Sequence, residues 1–371
     1  MIWLFSDYLS RAGGIETYLH ALGTKLVAEG IPFRIAVSEM ERCPFLDEFE
    51  EKGVPVYRQG RVPGDRWRMR QHVLCSWLFR RLKAGDWVYC VRQPQEQIYE
   101  RLVKGVHRKG AKLAASWMFT PDALKITPRF QDSFNRAVAK TDAVISVSQA
   151  GAGMYREWYG YLGPVKVVRY HNLQLVDEFT PISRERPWRF GFIGRLDEAQ
   201  KNLIALIDAF AEVAGIRGDV TLEIHGDGPD RGVLEDRARS TKCRDAIHFH
   251  GRYDHRFELP EILSNLHCVV YTSRFEGGPC FSLLEAMQAG RFVLASAVGG
   301  IPDLYAEHPE AGLLVHSFDK TAIRDGLEKV LGRLDRGDIS VDGPRALYES
   351  SYTMEHAHRA WCEALEIART D

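Results

Sequence analysis

Short apolar runs alternating with stretches of helical period constrain this chain more than any other feature. In the first half the runs fall at residues 2–5, 33–37, 87–91, 112–115, 143–147 and 165–169. In the second they fall at residues 189–193, 221–225, 268–272, 292–296 and 313–315. Between runs, apolar residues recur every three or four positions, as at Ile204, Ile207 and Ala211, which is the spacing of one helix face. A strand followed by a helix rejoins a parallel neighbour by a right-handed crossover. The alternation therefore predicts α/β architecture, with helices on both faces of parallel sheets. The rhythm pauses once, in the polar segment DEFTPISRERPW with Pro181 and Pro187, which reads as a linker. The expected domains are residues 1–180 and 181–371, with a C-terminal helix able to cross back to the first.

With 371 residues, 45% of them hydrophobic and 27% charged, the chain has material for two or three cores at roughly 150 residues per domain. Disorder and small disulfide-stapled scaffolds are excluded. No apolar stretch approaches the ~18 residues of a spanning helix, and Asp7 interrupts the apolar start. Seven cysteines stand singly, without the close pairs of zinc or redox sites, which suits a reducing, cytosolic compartment and no metal. The net charge of -1 hides an asymmetry: residues 1–180 hold 26 Lys and Arg against 19 Asp and Glu, and residues 181–371 hold 23 against 31. The basic surplus peaks in residues 61–83, where Arg66, Arg68, Arg70, Arg80 and Arg81 are interleaved with Trp67, Trp77, Leu78 and Phe79. Such a patch suits an anionic membrane surface or an anionic acceptor, and equally a solvated face with Trp77 in the core. Nucleic acid is not expected, because the chain as a whole is not basic.

Ligands of open parallel sheets bind beyond the carboxyl ends of the strands, so the loops there matter most. After the first run comes Gly13-Gly14-Ile15-Glu16, opening a helix with Leu19, Leu22 and Leu26 on one face. Two glycines admit close backbone approach and helix-start amides favour anions, though a plain turn has the same spelling. Gly151-Ala152-Gly153 is no dinucleotide fingerprint, since Arg156 occupies the third glycine position; Ser148 is expected to cap the helix there. In the second half, Gly194-Arg195 follows RFGFI and Lys201 precedes a helix. Two cations on one loop suit a diphosphate, Arg as a planar fork and Lys as a point charge, whereas either alone is ordinarily a solvated surface charge. Gly226 in HGDGPD is by itself turn punctuation. The densest stretch is YTSRFEGGPCFSLLEAMQAG, where a strand runs into Glu276-Gly277-Gly278 and a helix opens near Phe281 and Ser282 and carries Glu285. Amides of this turn can hold phosphate and sugar oxygens. Glu276 can accept from sugar hydroxyls and Glu285 from a ribose, although the helix dipole alone favours a glutamate near a helix start.

Taken together, GGIETYL, GRLDEAQKNLIALIDAF, HGDGPD, YTSRFEGGPCFSLLEAMQAG, VGGIPDL and AGLLVHSFD resemble glycosyltransferase family 4, over nearly the whole chain. That resemblance implies the GT-B fold: two Rossmann-like domains whose parallel sheets face each other across a cleft, the first binding acceptor and the second a sugar-nucleotide donor. It implies that Gly13 and Gly14 lie near the donor diphosphate, that Arg195 and Lys201 bind it, that Glu276 meets the transferred sugar and that Glu285 meets the ribose. Gly194, Gly226, Gly277, Gly278, Phe281 and Ser282 complete the implied donor site. The implied reaction is retaining transfer of a hexose-type sugar from a nucleoside diphosphate to a lipid-linked, polysaccharide-precursor or other glycan acceptor, and the basic surplus of the first half favours a cytosolic enzyme that docks on the inner membrane leaflet. The reaction needs no metal, cofactor or protein nucleophile: the acceptor attacks the face the nucleotide leaves, and a donor phosphate oxygen takes its proton. Three departures stand out. Eight residues separate Glu276 from Glu285, where the family usually has seven, and the interval from Arg195 to Lys201 is one residue longer than the commonest form. Where many members carry a histidine beside the donor sugar, this chain has Trp117, Met118 and Phe119, which suits a less polar, 6-deoxy sugar unless another residue supplies the contact. Two other readings stay open: an epimerase or phosphorylase on the same fold, and a sugar-nucleotide-binding protein without turnover.

Overall fold

A computed structural model of the chain describes residues 1–10, 13–60, 67–118, 126–169, 180–255, 257–305 and 308–367, with the backbone alone at 67 and 68. The chain divides into two compact units, residues 1–172 with 354–371, and residues 173–353.

The first unit holds β1 (Ile2–Leu9), β2 (Phe33–Glu39), β3 (Val56–Gln59), β4 (Trp87–Cys90), β5 (Lys112–Trp117), β6 (Ala143–Ser146) and β7 (Val165–Val167). They form one parallel sheet in the order β3-β2-β1-β4-β5-β6-β7, with Ile2 in register with Phe33 on one side and Trp87 on the other. The order changes direction between β1 and β4, the topological switch point where open α/β sheets bind ligands. Trp3, Phe5, Leu74, Leu78, Leu102 and Phe134 are part of a continuous buried core. Helix Gly14–Ala28 buries the expected Leu19, Leu22 and Leu26. Helix Met354–Ala364 follows the second unit in the chain but packs in the first, setting Trp361 edge-on to Tyr89 at 5.4 Å. Ser148 caps helix Gln149–Tyr159, its side chain accepting the Gly151 N–H at 3.1 Å.

The second unit holds β8 (Trp188–Ile193), β9 (Val220–His225), β10 (Ile247–Gly251), β11 (Cys268–Tyr271), β12 (Phe292–Ser296) and β13 (Gly312–Val315). Their order, β10-β9-β8-β11-β12-β13, is again fully parallel, and its switch point lies between β8 and β11. Helix Leu203–Arg217 buries Leu203, Leu206, Ile207, Phe210 and Val213. Each such side chain contributes about 1.5–3 kcal/mol before conformational entropy is charged against it. Asp319 starts helix Lys320–Arg336 by accepting the Ala322 N–H at 2.9 Å, and Gly337, at φ 73°, ends it.

Two strands, β3 and β10, were not among the apolar runs. Both are outermost in their sheets. An edge strand buries little, so VYRQ and IHFHG carry polar side chains where a central strand would be apolar.

Candidate functional site

In the second unit the loops after β8, β9 and β11 converge at the switch point, and glycine makes their close approach possible. A Cβ on Gly226, at φ 134°, would lie 1.8 Å from the Gly194 carbonyl oxygen; one on Gly299, at φ 53°, would lie 1.8 Å from that of Glu276. Backbone bonds tie the loops together: Gly194 N–H to His225 O at 3.0 Å, Gly226 N–H to Gly251 O at 2.7 Å, and Gly300 N–H to Gly277 O at 3.2 Å. The Thr272 hydroxyl donates to the Lys201 carbonyl at 2.9 Å, fastening the β11 loop to the end of the short helix Glu198–Lys201. Helix Phe281–Gln288 then begins from Cys280 with no side-chain cap, at this same end of the sheet. Gly277 and Gly278 are buried in the turn before it, and Phe281 and Ser282 are half-buried at its start.

Charge is placed unevenly among these loops. Arg195 is exposed, and no carboxylate pairs with it among the described residues. Lys201 is nearly buried and donates from Nζ to Glu276 Oε1 at 2.5 Å, their side chains 12% and 7% exposed. Burial works against the ammonium, but Glu276, together with Cys280 and Asp197, outweighs it and holds the Lys201 pKa above its ordinary value. The neighbouring Cys280 thiol is pushed up to about 11 by burial, despite the opposing pull of Lys201, so it is no thiolate nucleophile at neutral pH. Glu285, 2% exposed, accepts from His255 Nε2 at 2.6 Å. Burial lowers the His255 pKa, but the bond to Glu285 and the charges of Glu285 and Asp254 together hold it above its ordinary value. Arg195, Lys201, Glu276, Gly194, Gly226, Gly277, Gly278, Phe281, Ser282 and Glu285 thus share one end of one sheet. Such a surface offers cations and a helix start to an anion and carboxylates to hydroxyl groups.

His255 was absent from the expected set. It lies in the turn after β10, and with that strand unrecognised nothing drew attention to the loop beyond it.

In the first unit, Gly13 and Gly14 are exposed at the start of helix Gly14–Ala28. Glu16 organises the preceding loop by accepting the Ser10 N–H at 2.6 Å and hydroxyl at 3.0 Å. A Cβ on Gly13 would lie 2.7 Å from Glu16 Oε2, so that glycine makes room for the carboxylate. Across the switch point, buried Asp7 accepts the Gln95 N–H at 2.7 Å, and burial raises its pKa against the pull of Arg92.

Three expectations need correction here. Trp117 is fully buried, ringed by Phe134, Tyr155 and Tyr159 at centroid distances of 5.7, 4.3 and 5.7 Å, so it is a core residue and meets no sugar. Met118 is buried at 8% exposure, and Phe119 lies outside the described residues. Arg70 is fully buried, with Nη1 3.2 Å from the Met40 sulfur, and is therefore no part of a basic surface. Arg80 and Arg81 are exposed; Arg66 and the Arg68 side chain lie outside the described residues.

Residues 187–333 match the family model described as glycosyl transferases group 1. An alpha-D-kanosaminyltransferase of Streptomyces kanamyceticus is 28% identical over 166 residues, 45% of this chain and 42% of that protein. A 2-deoxystreptamine N-acetyl-D-glucosaminyltransferase of Niallia circulans is 23% identical over 264 residues, 69% of this chain and 58% of its own length. The chain therefore spans only about half of the curated relatives it matches. The crystal structure of Anabaena Alr3699/HepE in complex with UDP superposes with a TM-score of 0.75 at 17% identity, over 99% of this chain and all of that one. Two α/β units with these strand orders and this neighbour define the GT-B fold.

Proposed function

From the match of residues 187–333 to the glycosyl transferases group 1 model, we propose that this protein is a retaining glycosyltransferase moving a hexose-type sugar from a nucleoside-diphosphate donor. The observation that carries the reading is the Lys201–Glu276 pair, 2.5 Å apart at the second unit's switch point, beside an uncapped helix start. An ammonium has three donors, so Lys201 can keep Glu276 and still reach a phosphate oxygen. Arg195 supplies the second cation. Together they stabilise the charge that develops on the departing diphosphate, which is where preorganised electrostatics lowers a barrier most. Glu276 accepts from hydroxyls of the transferred sugar and Glu285 from the ribose. The acceptor hydroxyl attacks the face that the diphosphate vacates and gives its proton to a donor phosphate oxygen. No protein nucleophile, metal or cofactor enters this scheme. UDP in the Anabaena neighbour supports a nucleoside-diphosphate donor, and the sugar named in the Niallia relative supports a hexose-type group.

The same proposal makes the acceptor a glycan or a lipid-linked saccharide met at an anionic inner leaflet, supported by the basic surplus of residues 1–180. The test is a thermal-shift screen of sugar nucleotides, followed by transfer assays and NMR assignment of the product anomer. A donor at 100 times its Kd should stabilise the protein by about 2.7 kcal/mol. Stabilisation by one donor and retention at the anomeric carbon are expected. Inversion would overturn the mechanism, and epimerised donor without transfer would make the protein an epimerase.

A further inference from the structure

We propose that His255 is a positioning residue: it fixes the orientation of the Glu285 carboxylate and so sets how strongly the protein prefers a ribonucleotide over its deoxy counterpart. The inference rests on the reading of Glu285 as the ribose acceptor. Glu285 is 2% exposed, and His255 is the side chain that donates to it among the described residues. The final torsion of a glutamate is broad, so an unrestrained carboxylate turns both oxygens through the same space. A 2.6 Å bond from His255 Nε2 pins Oε1 and leaves Oε2 to accept from a ligand. Pinning also supplies a charge-assisted bond to a buried carboxylate for which no other side-chain donor is found among the described residues.

The two residues come from different elements, which is what makes the restraint effective. Glu285 sits on helix Phe281–Gln288, and His255 sits in the turn after β10, an edge strand held by its register with β9. Tyr253, in that turn, lies close enough to feel the Glu285 charge, and Asp254 is the other acid acting on His255. The His255 side chain is 42% exposed, so its outer edge is open while its inner edge is committed to Glu285.

Calorimetry on the full chain tests this with UDP, GDP and ADP; the nucleotide that binds best is then compared with its 2′,3′-dideoxy analogue. The wild-type protein should prefer the ribonucleotide by about tenfold or more, the size of one lost bond to a charged group. His255→Ala should shrink that preference at least fivefold while dideoxy affinity stays within twofold. His255→Gln, which keeps an N–H donor, should restore most of it. A purely structural role would weaken both ligands equally and would not be rescued, and that pattern, or an unchanged preference in His255→Ala, overturns the proposal. Glu285→Gln separates the two layers: an unchanged preference there removes Glu285 from the ribose, and no binding of any nucleoside diphosphate by the wild-type protein removes the donor site itself.

Discussion

Arg195 and Lys201 bring the same charge to one connection, between β8 and helix Leu203–Arg217, but the free protein needs only one of them. Arg195 is exposed and unpaired with any acid among the described residues, so replacing it removes nothing the fold depends on. Lys201 neutralises Glu276 at 7% side-chain exposure, so replacing it strands a buried carboxylate. Arg195→Ala should therefore cut transfer about 100-fold, as losing a charge-stabilising donor does elsewhere, with unfolding free energy changed by no more than about 0.5 kcal/mol. Lys201→Ala should cost a similar factor in turnover and about 3 kcal/mol of stability as well. Adding Glu276→Gln to Lys201→Ala should return part of that stability and none of the activity. Thermal unfolding alongside initial rates checks both halves. Equal stability of Lys201→Ala and wild type would mean that the ion pair contributes nothing to the fold and that Glu276 is not desolvated in solution.

At the scale of elements, the loops of the second unit are close-packed backbone, and only some of their glycines are there for that reason. Ala at Gly226 or Gly299 would force a left-handed backbone on an L-residue and push a methyl to 1.8 Å from a carbonyl oxygen. Gly232, in helix Arg231–Arg239, has nothing within 4 Å of its would-be Cβ. Gly226→Ala and Gly299→Ala should each destabilise by roughly 2 kcal/mol or more and weaken nucleotide binding, whereas Gly232→Ala should stabilise by about 0.5–1 kcal/mol. Denaturant unfolding of the three variants, with calorimetry against nucleoside diphosphates, gives the answer; a neutral Gly226→Ala would show that the loops part readily. The same contrast explains what could be read in advance. Central strands announce themselves because both faces are buried, and the loops after β8 and β11 were found through their chemistry-bearing residues. Edge strand β3 ends in two polar residues and edge strand β10 alternates polar with apolar, and with β10 went the loop that carries His255. Trp117 misled for a related reason: β5 continues two residues past Ala115, to Trp117, so the residue taken for the start of a binding loop is the end of a buried strand.

For the whole molecule, the uneven charge is the property that outlasts any single contact. Among the described residues no helix is long and apolar enough to cross a membrane, so an interaction with lipid would have to be made at the surface. Helix Trp67–Phe79 has already committed its apolar face: Leu74, Cys75 and Leu78 are buried with Arg70, and Trp77 stacks on Tyr57 at 3.6 Å. Among the described side chains, Met69 and Val73 remain outside, 48% and 40% exposed, followed by Arg80, Arg81 and Lys83, with the Arg81 guanidinium 4.0 Å above the Trp77 ring. Two exposed aliphatic side chains insert weakly, so the affinity for lipid that this patch offers comes from its bases and carries their salt dependence. At about 1 kcal/mol per base, replacing Arg80, Arg81 and Lys83 by Gln should weaken binding to phosphatidylserine-rich vesicles on the order of 100-fold. Raising salt should do the same to the unaltered protein, and phosphatidylcholine vesicles should retain neither. Arg70 is left out of the set because its loss would unsettle the helix that carries the patch. Co-sedimentation measures all three effects. Equal binding to neutral and anionic vesicles would mean that Met69 and Val73 insert after all, and binding to neither would move the reaction to an acceptor free in solution.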